Sequence, residues 1–261
     1  MIALFTDFGT RDAYVAQLKG AILRINSHAA LIDLGHDVGP FHIRQAAYLL
    51  EKSARYFPAG TIFVAVVDPG VGSARRPILV QTQAHKFYIG PDNGLFTCVL
   101  ERERLQAAYV LQQTAYFLTP HVSATFHGRD IFGPVAAHLS LGVNPVCFGP
   151  RLEEVVTLSR SMPRVVGRTV EGEIVHVDHF GNMLTNIPSN LLREIQPGQA
   201  VSITMHGTTQ TVPFLTTYAE GQQERLICLI SSDNEFEVAC PQGRASDYLA
   251  AHTGDRIVLS W

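Results

Sequence analysis

The chain has 261 residues and a formal net charge of −3, from 20 Lys and Arg against 23 Asp and Glu, a size that suits one large domain or a large one plus a small one. Hydrophobic residues make up 46%, yet no uninterrupted apolar run approaches the roughly 20 residues a spanning helix needs, which excludes a membrane-spanning reading. Near-balanced charge, a pI of about 6.4 and no basic cluster beyond Arg75-Arg76 exclude an electrostatic footprint for nucleic acid.

The N-terminus, MIALFTDFGT, has no basic n-region and its apolar stretch ends at Thr6 and Asp7, so a cytoplasmic protein is expected. Cys98, Cys147, Cys228 and Cys240 show no CxxC or CxxH spacing and sit in apolar stretches, which predicts buried thiols rather than zinc ligands or disulfides.

Apolar runs at 2–6, 29–34, 61–67, 77–82 and 86–89 read as strands. Two amphipathic helices lie between them. The first presents Tyr14, Leu18, Ala21, Ile22 and Ile25 on one face, the second Ile43, Ala46, Ala47, Leu50 and Ala54. This alternation predicts an α/β domain with a largely parallel sheet, whose ligand lies beyond the carboxyl ends of the strands. A third helix is expected over about 93–111 and a fourth after FHGRD, through Ile131, Val135, Ala136 and Leu139. Pro150 and Pro163 mark a linker. Beyond it, short runs separated by Gly, Pro, Asn and Asp, such as GEIVHVD, QAVSITMHG and DRIVLSW, predict a smaller β-barrel-like domain. The expected domains are 1–155 and 165–261.

Three strand ends carry the candidate chemistry. Asp7 follows the first strand in TDFGTRDAY, where a carboxylate can accept both hydroxyls of a ribose or simply cap the turn, with Asp12 the better cap for the helix. His36 and Asp37 follow the second strand in LGHDVGPF, where the histidine is equally a site residue or a turn residue, and Phe41 offers a π-face. The third strand ends in VVDPGVGSARRP. Arg75 can return across that turn to Asp68 and keep it ionised, either to orient water or to brace the loop. FHGRDIFGPVAA adds His127, which titrates near neutral pH, Gly128, which lets a ligand approach the backbone, and Asp130 near a cap. A fixed carboxylate, a cation to hold it and a histidine are what a hydrolytic site needs. In the second domain, HVDHFGNMLTNIP crowds Asp178, Phe180, Gly181, Asn182 and Asn186 together, as turn formers or as groups that read a purine.

Taken in order, TDFG, HDVGPF, VVDPGVG, PDNGL, FHGRDIF and DHFGNMLTN, continued by SSDNEFEVACPQG, resemble the S-adenosyl-L-methionine hydrolases, or SAM hydroxide adenosyltransferases, a family related to the fluorinating and chlorinating enzymes. The resemblance covers nearly the whole chain. It implies an N-terminal α/β domain, a β-barrel-like C-terminal domain, and a homotrimer whose active sites lie between the large domain of one subunit and the small domain of its neighbour. It also implies that Asp68, Arg75 and His127 form a water-activating triad and that Asp7 holds the ribose hydroxyls. Asp178 would take the methionine ammonium, Phe180 and Asn182 would face adenosine, and Phe41 and Gly128 would help form the pocket. Tyr218 would stack on adenine and Ser232 would contact the methionine carboxylate. Ser231, Asn234 and Pro241 depart from the family's usual Asn, Gly and Asn. The halogenating relatives lack the triad histidine and the fluorinating ones carry an extra loop; His127 and the lack of such an insertion favour water over halide.

The implied reaction converts S-adenosyl-L-methionine to adenosine and L-methionine without a cofactor. Its sulfonium makes C5′ electrophilic and methionine a neutral leaving group, so the demand falls on water, whose bulk pKa is about 15.7. Two rivals accompany this reading. One is a metal-dependent hydrolase of nucleosides or phosphate esters using Asp7, Asp12, His36, Asp68 and His127, against which the absence of HxH or DxD spacing counts. The other is a sensor that binds S-adenosylmethionine without turnover.

Overall fold

The computed structural model describes all 261 residues, which divide into two compact units, Met1–Leu158 and Ser159–Trp261. In the first, β1 (Ile2–Thr6), β2 (Leu31–Gly35), β3 (Ile62–Val66) and β5 (Phe87–Pro91) run parallel, in the order β2-β1-β3-β5. β4 (Pro77–Thr82), β6 (Leu105–Val110) and β7 (Arg151–Leu152) extend the sheet antiparallel beyond β5. The sheet is thus mixed, with its parallel half where the first helices cross over.

β1 and β3 are buried at every position, as their unbroken apolar sequences require of strands covered on both faces. Helices α1 (Tyr14–Ile25) and α4 (Gly133–Ser140) contribute Leu18, Ile22, Val135 and Leu139 to one core; α2 (Ile43–Ala54) and α3 (Thr97–Glu103) contribute Ala46, Leu50 and Val99 to the core on the opposite face. The chain leaves β1 for β2 on one side and reaches β3 on the other, so a switch point falls between the ends of β1 and β3, where such sheets form a ligand crevice.

Several sequence expectations are corrected. The expected third helix ends at Glu103, because Arg104 takes a left-handed φ of 58° and 105–110 pairs with β4 instead. Tyr14 lies on the apolar repeat of α1 but is 49% exposed. The residue that caps α1 is Ala13, without any side-chain bond, so Asp12 is not the cap. Asp130 lies within a π-helical turn, Gly128–Phe132, that leads into α4. All four cysteines are free, but Cys147 is exposed and Cys240 only partly buried.

The second unit is one eight-stranded antiparallel sheet. It comprises β8 (Arg164–Val166), β9 (Thr169–Val177), β10 (Met183–Pro188), β11 (Ala200–Met205), β12 (Thr208–Pro213), β13 (Ile227–Ile230), β14 (Glu235–Ala239) and β15 (Arg256–Ser260). The path runs β12-β11-β15-β9-β10-β14-β13, with β8 beside β9. A bridge between Phe214 and Cys228, just past β12 and within β13, nearly closes it into a barrel, around a core that includes Ile174, Met183, Ile203, Phe236 and Leu259. β8 and β7 occupy parts of the stretch read as a linker. A short helix, α5 (Ala245–Leu249), follows β14. The polar turn expected across 178–186 is shorter, since 183–188 is β10, and Asn186 serves that strand by accepting from Glu173 N.

Candidate active site

Parallel strands deliver Asp7, His36 and Asp68 to one edge of the first unit. Asp7 follows β1 and Asp68 lies two residues past β3, the two strands that flank the switch point. A cavity of about 580 Å³ opens there, lined among others by Asp7, Phe8, Tyr14, Phe41, Asp68, Phe126, His127, Gly128 and Arg129.

Asp68, Arg75 and His127 form one hydrogen-bonded cluster. Arg75 Nε donates to Asp68 Oδ1 at 2.9 Å, and Nη2 donates both to Asp68 Oδ2 and to His127 Nδ1, the latter at 2.6 Å. The side chains of Asp68 and Arg75 are only 6% and 9% exposed, so this bidentate pair is largely withdrawn from solvent, where charge-assisted bonds are strongest. The turn is shaped to allow it: Gly72 has a φ of 77°, and a Cβ there would stand 2.4 Å from the carbonyl oxygen of Ala124. Only glycine lets the 68–75 loop close onto the segment that carries His127.

The Arg75 contact also decides the histidine's tautomer. A guanidinium has donors only, so His127 Nδ1 accepts and the ring proton is on Nε2. Burial and the neighbouring Arg75 charge lower the pKa of His127 below the ordinary 6.5, outweighing Asp68 and Asp130. The ring is therefore held neutral, with an N–H as its free polar group.

Asp7 is half-buried, and burial raises its pKa; the hydrogen bond from Phe41 N, 3.0 Å from Oδ2, works against this and Asp68 adds to it. Phe41 aims that N–H from a left-handed backbone, φ 67°, with its ring 69% exposed at the cavity. Such a conformation costs about 1–3 kcal/mol outside glycine, and strain of this kind collects at ligand sites. Gly128 packs closely against two aromatic rings, since a Cβ would meet Phe8 Cζ at 3.2 Å and Phe126 Cε2 at 3.3 Å. Phe8, Tyr14 and Phe126 form an edge-to-face trio with centroids 5.4–6.2 Å apart. Asp130 is buried, accepts from Arg129 Nε at 2.6 Å and Ser123 N at 2.8 Å, and so anchors the cavity-lining segment around Ser123 rather than capping a helix. Burial pushes its pKa up, but these partners outweigh it and hold the carboxylate below its usual range.

The second unit holds its own polar cluster. Asp178 Oδ1 accepts from Asn182 N at 2.8 Å and Oδ2 from Asn182 Nδ2 at 3.1 Å, so the Asn182 amide donates inward. Phe180, at the tip of that turn, is 71% exposed. Tyr218 donates its hydroxyl to Glu237 Oε1 at 2.5 Å. Glu237 is buried, and burial with the nearby Asp178 raises its pKa although Tyr218 lowers it. Ser232 is exposed in the turn before β14. That turn accounts for two of the departures: Ser231 Oγ accepts from Asp233 N and Glu235 N, and Asn234 takes a left-handed φ of 61°, which Asn tolerates better than most residues. Nothing in the structure accounts for Pro241.

Tyr14, Phe126 and Glu237 escaped the sequence reading. Tyr14 was concealed by its place in an apolar repeat. Glu237 carried a fainter signal, an acid set between the apolar Phe236 and Val238 in a strand that already opens with Glu235.

No group of three or more His, Cys, Asp or Glu side chains is arranged to hold a metal ion, and no helix is long and apolar enough to cross a membrane. Fold and site together define a two-unit protein: a mixed α/β sheet with an Asp–Arg–His cluster at its switch point, joined to a β-barrel-like unit bearing carboxylates.

Comparison with known proteins refines that class. Residues 2–149 match the SAM hydroxide adenosyltransferase N-terminal domain and residues 172–258 the C-terminal domain. The (R)-S-adenosyl-L-methionine hydrolase of Methanocaldococcus jannaschii is 34% identical over 99% of this chain and 95% of its own, and that of Thermus thermophilus 36% over 97% and 96%. A fluorinase from Actinoplanes is 28% identical over 85% of this chain and 84% of its own. A conserved protein from Thermotoga maritima superposes with a TM-score of 0.96 at 34% identity, each chain covered completely. The chain belongs to the SAM hydroxide adenosyltransferase family.

Proposed function

We propose that this protein hydrolyses S-adenosyl-L-methionine to adenosine and L-methionine, acting on the (R) sulfonium epimer for which its relatives are named. The observation that carries this reading is the part-buried Asp68–Arg75–His127 cluster facing a cavity that Asp7 also lines. Water attacks C5′, the C5′–S bond breaks, and its electron pair stays on sulfur as a neutral thioether. Water's proton must go to a base. His127 Nδ1 is already engaged by Arg75, so His127 supplies an Nε2–H hydrogen bond to the nucleophile while the Asp68 carboxylate accepts the proton. In-line placement of a desolvated water contributes much of the acceleration, since near-attack geometry is worth about 7–11 kcal/mol.

Asp7 takes the ribose hydroxyls, and Phe41 and the Gly128 backbone wall the pocket. Asp178 takes the ammonium, Phe180 and Asn182 face adenosine, Tyr218 stacks on adenine, and Ser232 meets the carboxylate. The family resemblance supports a homotrimer in which a neighbouring copy completes each site. No metal or other cofactor takes part.

The test is incubation of EDTA-treated protein with each epimer of S-adenosylmethionine in ¹⁸O-water, followed by mass spectrometry. Adenosine carrying ¹⁸O together with methionine, formed faster from the (R) epimer, is the expected result. Label in neither product, or activity only with added metal, rejects the mechanism.

A further inference from the structure

His36 follows β2 directly and does not line the cavity, and the proposed reaction gives it no role. It is 4% exposed. Its ring Nδ1 lies 2.8 Å from Thr6 Oγ1, and Nε2 lies 3.1 Å from Asp33 Oδ1, an oblique contact that leaves the N–H imperfectly aimed. Asp33 in turn accepts from Lys19 Nζ at 2.6 Å. On the other side, Thr6 Oγ1 accepts from Phe8 N at 3.2 Å. A chain of polar contacts therefore runs from the half-exposed Lys19–Asp33 pair, through a buried imidazole and a fully buried hydroxyl, to the amide just past Asp7.

Proton counting gives this chain a direction. An imidazole lone pair facing a carboxylate would be repelled, so Nε2 carries the ring proton toward Asp33 and Nδ1 accepts. Thr6 then donates its hydroxyl proton to Nδ1 and keeps a lone pair for Phe8 N–H, which satisfies both capacities of a buried hydroxyl. Valine at position 6 would leave Phe8 N–H and His36 Nδ1 without these partners.

The backbone of His36 grips the same turn from its far side, because its carbonyl accepts from Gly9 N at 2.7 Å. The residues on both sides of Asp7 are thus tied to His36, by its ring through Thr6 and Phe8 and by its carbonyl through Gly9. Five residues on, Phe41 N donates to the Asp7 carboxylate itself.

We infer that His36 is a positioning residue for ribose recognition: through Thr6 it fixes the turn that holds Asp7 at the angle required to accept the ribose hydroxyls. This rests on the proposed role of Asp7. It adds that the selectivity is set by a buried relay behind the site, whose outer end is the Asp33–Lys19 pair. The relay never touches substrate, so its loss blunts discrimination between sugars without removing a contact group.

The test uses binding of adenosine and 2′-deoxyadenosine, measured by calorimetry on the full chain and therefore independent of turnover. The wild-type protein is expected to prefer adenosine by on the order of tenfold, the worth of a hydrogen bond to a charged group. Asp7→Asn should reduce that preference to near unity. Thr6→Val and His36→Phe should reduce it most of the way, Thr6→Ser should retain it, and Asp33→Ala, at a surface position that tolerates change, should reduce it by a smaller factor. A preference unaffected by Asp7→Asn overturns the ribose role and this inference with it. A preference lost in Asp7→Asn but intact in both Thr6→Val and Asp33→Ala overturns this inference alone, whatever the folding of His36→Phe. Loss of thermal stability with an unchanged adenosine-to-deoxyadenosine ratio marks the relay as merely structural.

Discussion

The two polar clusters of this protein treat negative charge in opposite ways. In the first unit Asp68 is buried but matched by the two-point grip of Arg75, and His127 completes the set as a neutral ring. In the second, Asp178 accepts from backbone and side-chain amides of Asn182 and Glu237 from a phenol. Those bonds come from uncharged donors, in contrast to the guanidinium that pairs with Asp68. The first cluster is neutralised from within, since a guanidinium pairs with its one carboxylate, which suits the neutral nucleophile of the proposed reaction. The second is suited to a cationic ligand, which fits a substrate carrying a sulfonium and an ammonium.

The sharpest way to break this contrast is to strip the first cluster. Asp68→Ala or His127→Ala should lower kcat by about 10²–10⁴-fold, the range of acid–base and positioning contributions, while adenosine affinity changes only a few-fold. Equal loss of turnover and binding would show that the cluster is a brace. Arg75→Met should in addition cost about 3–5 kcal/mol of stability, because it leaves the Asp68 charge buried and unpaired; urea unfolding of the two proteins measures this, and a change under 1 kcal/mol would contradict the pairing.

In the second unit the expected loss is in binding. Asp178→Asn should raise KM about 10- to 100-fold with kcat at saturation nearly preserved, as removal of a uniform binding contact does. A fall confined to kcat would assign Asp178 to the chemistry.

The pH response separates the clusters further. The pKa of His127 is depressed below 6.5, so the active neutral ring is present at and above neutral pH. Protonation would oppose an N–H to Arg75. Activity should fall as pH drops through that lowered value. The stability that comes from holding the ring neutral follows the same direction: it is fully present above 6.5 and lost as pH falls through the folded-state pKa. A pH–rate profile of His127→Gln that keeps the same acid limb would remove this assignment. The smallest effect is expected at Glu237. Its pKa is raised by burial, so Glu237→Gln, which still accepts from Tyr218, should leave the melting temperature unchanged or slightly higher; a clear drop would show that the buried charge is stabilising.

Much of this was legible in one dimension. Unbroken apolar runs such as IFVAV announce strands covered on both faces, and the alternation with helices α1 and α2 announces parallel pairing, since helical crossovers join parallel neighbours. That logic places Asp7, His36 and Asp68 at one edge. Local turn chemistry likewise pointed to Asp68 and Arg75 as partners across seven residues. Where periodicity is ambiguous, the pattern does not separate helix from strand or core from surface. Residues 105–110 carry apolar side chains compatible with a helix, and only pairing with β4 makes them a strand. Tyr14 has the spacing of a core residue, and only the packing of α1 against α4 leaves it at the cavity mouth.

The sequence by itself determined the ends of β1, β2 and β3, the turn that returns Arg75 to Asp68, and the family, because each is written in short-range pattern: alternation, glycine placement and motif order. Tertiary structure alone decided that His127, 52 residues from Arg75, gives its Nδ1 to that guanidinium and so carries its proton on Nε2. It alone decided that Thr6, Asp33 and His36 meet behind Asp7. Hydrogen bonds between residues distant in sequence are set by how strands and helices pack, and a tautomer is set by such a bond; neither leaves a mark in composition or spacing.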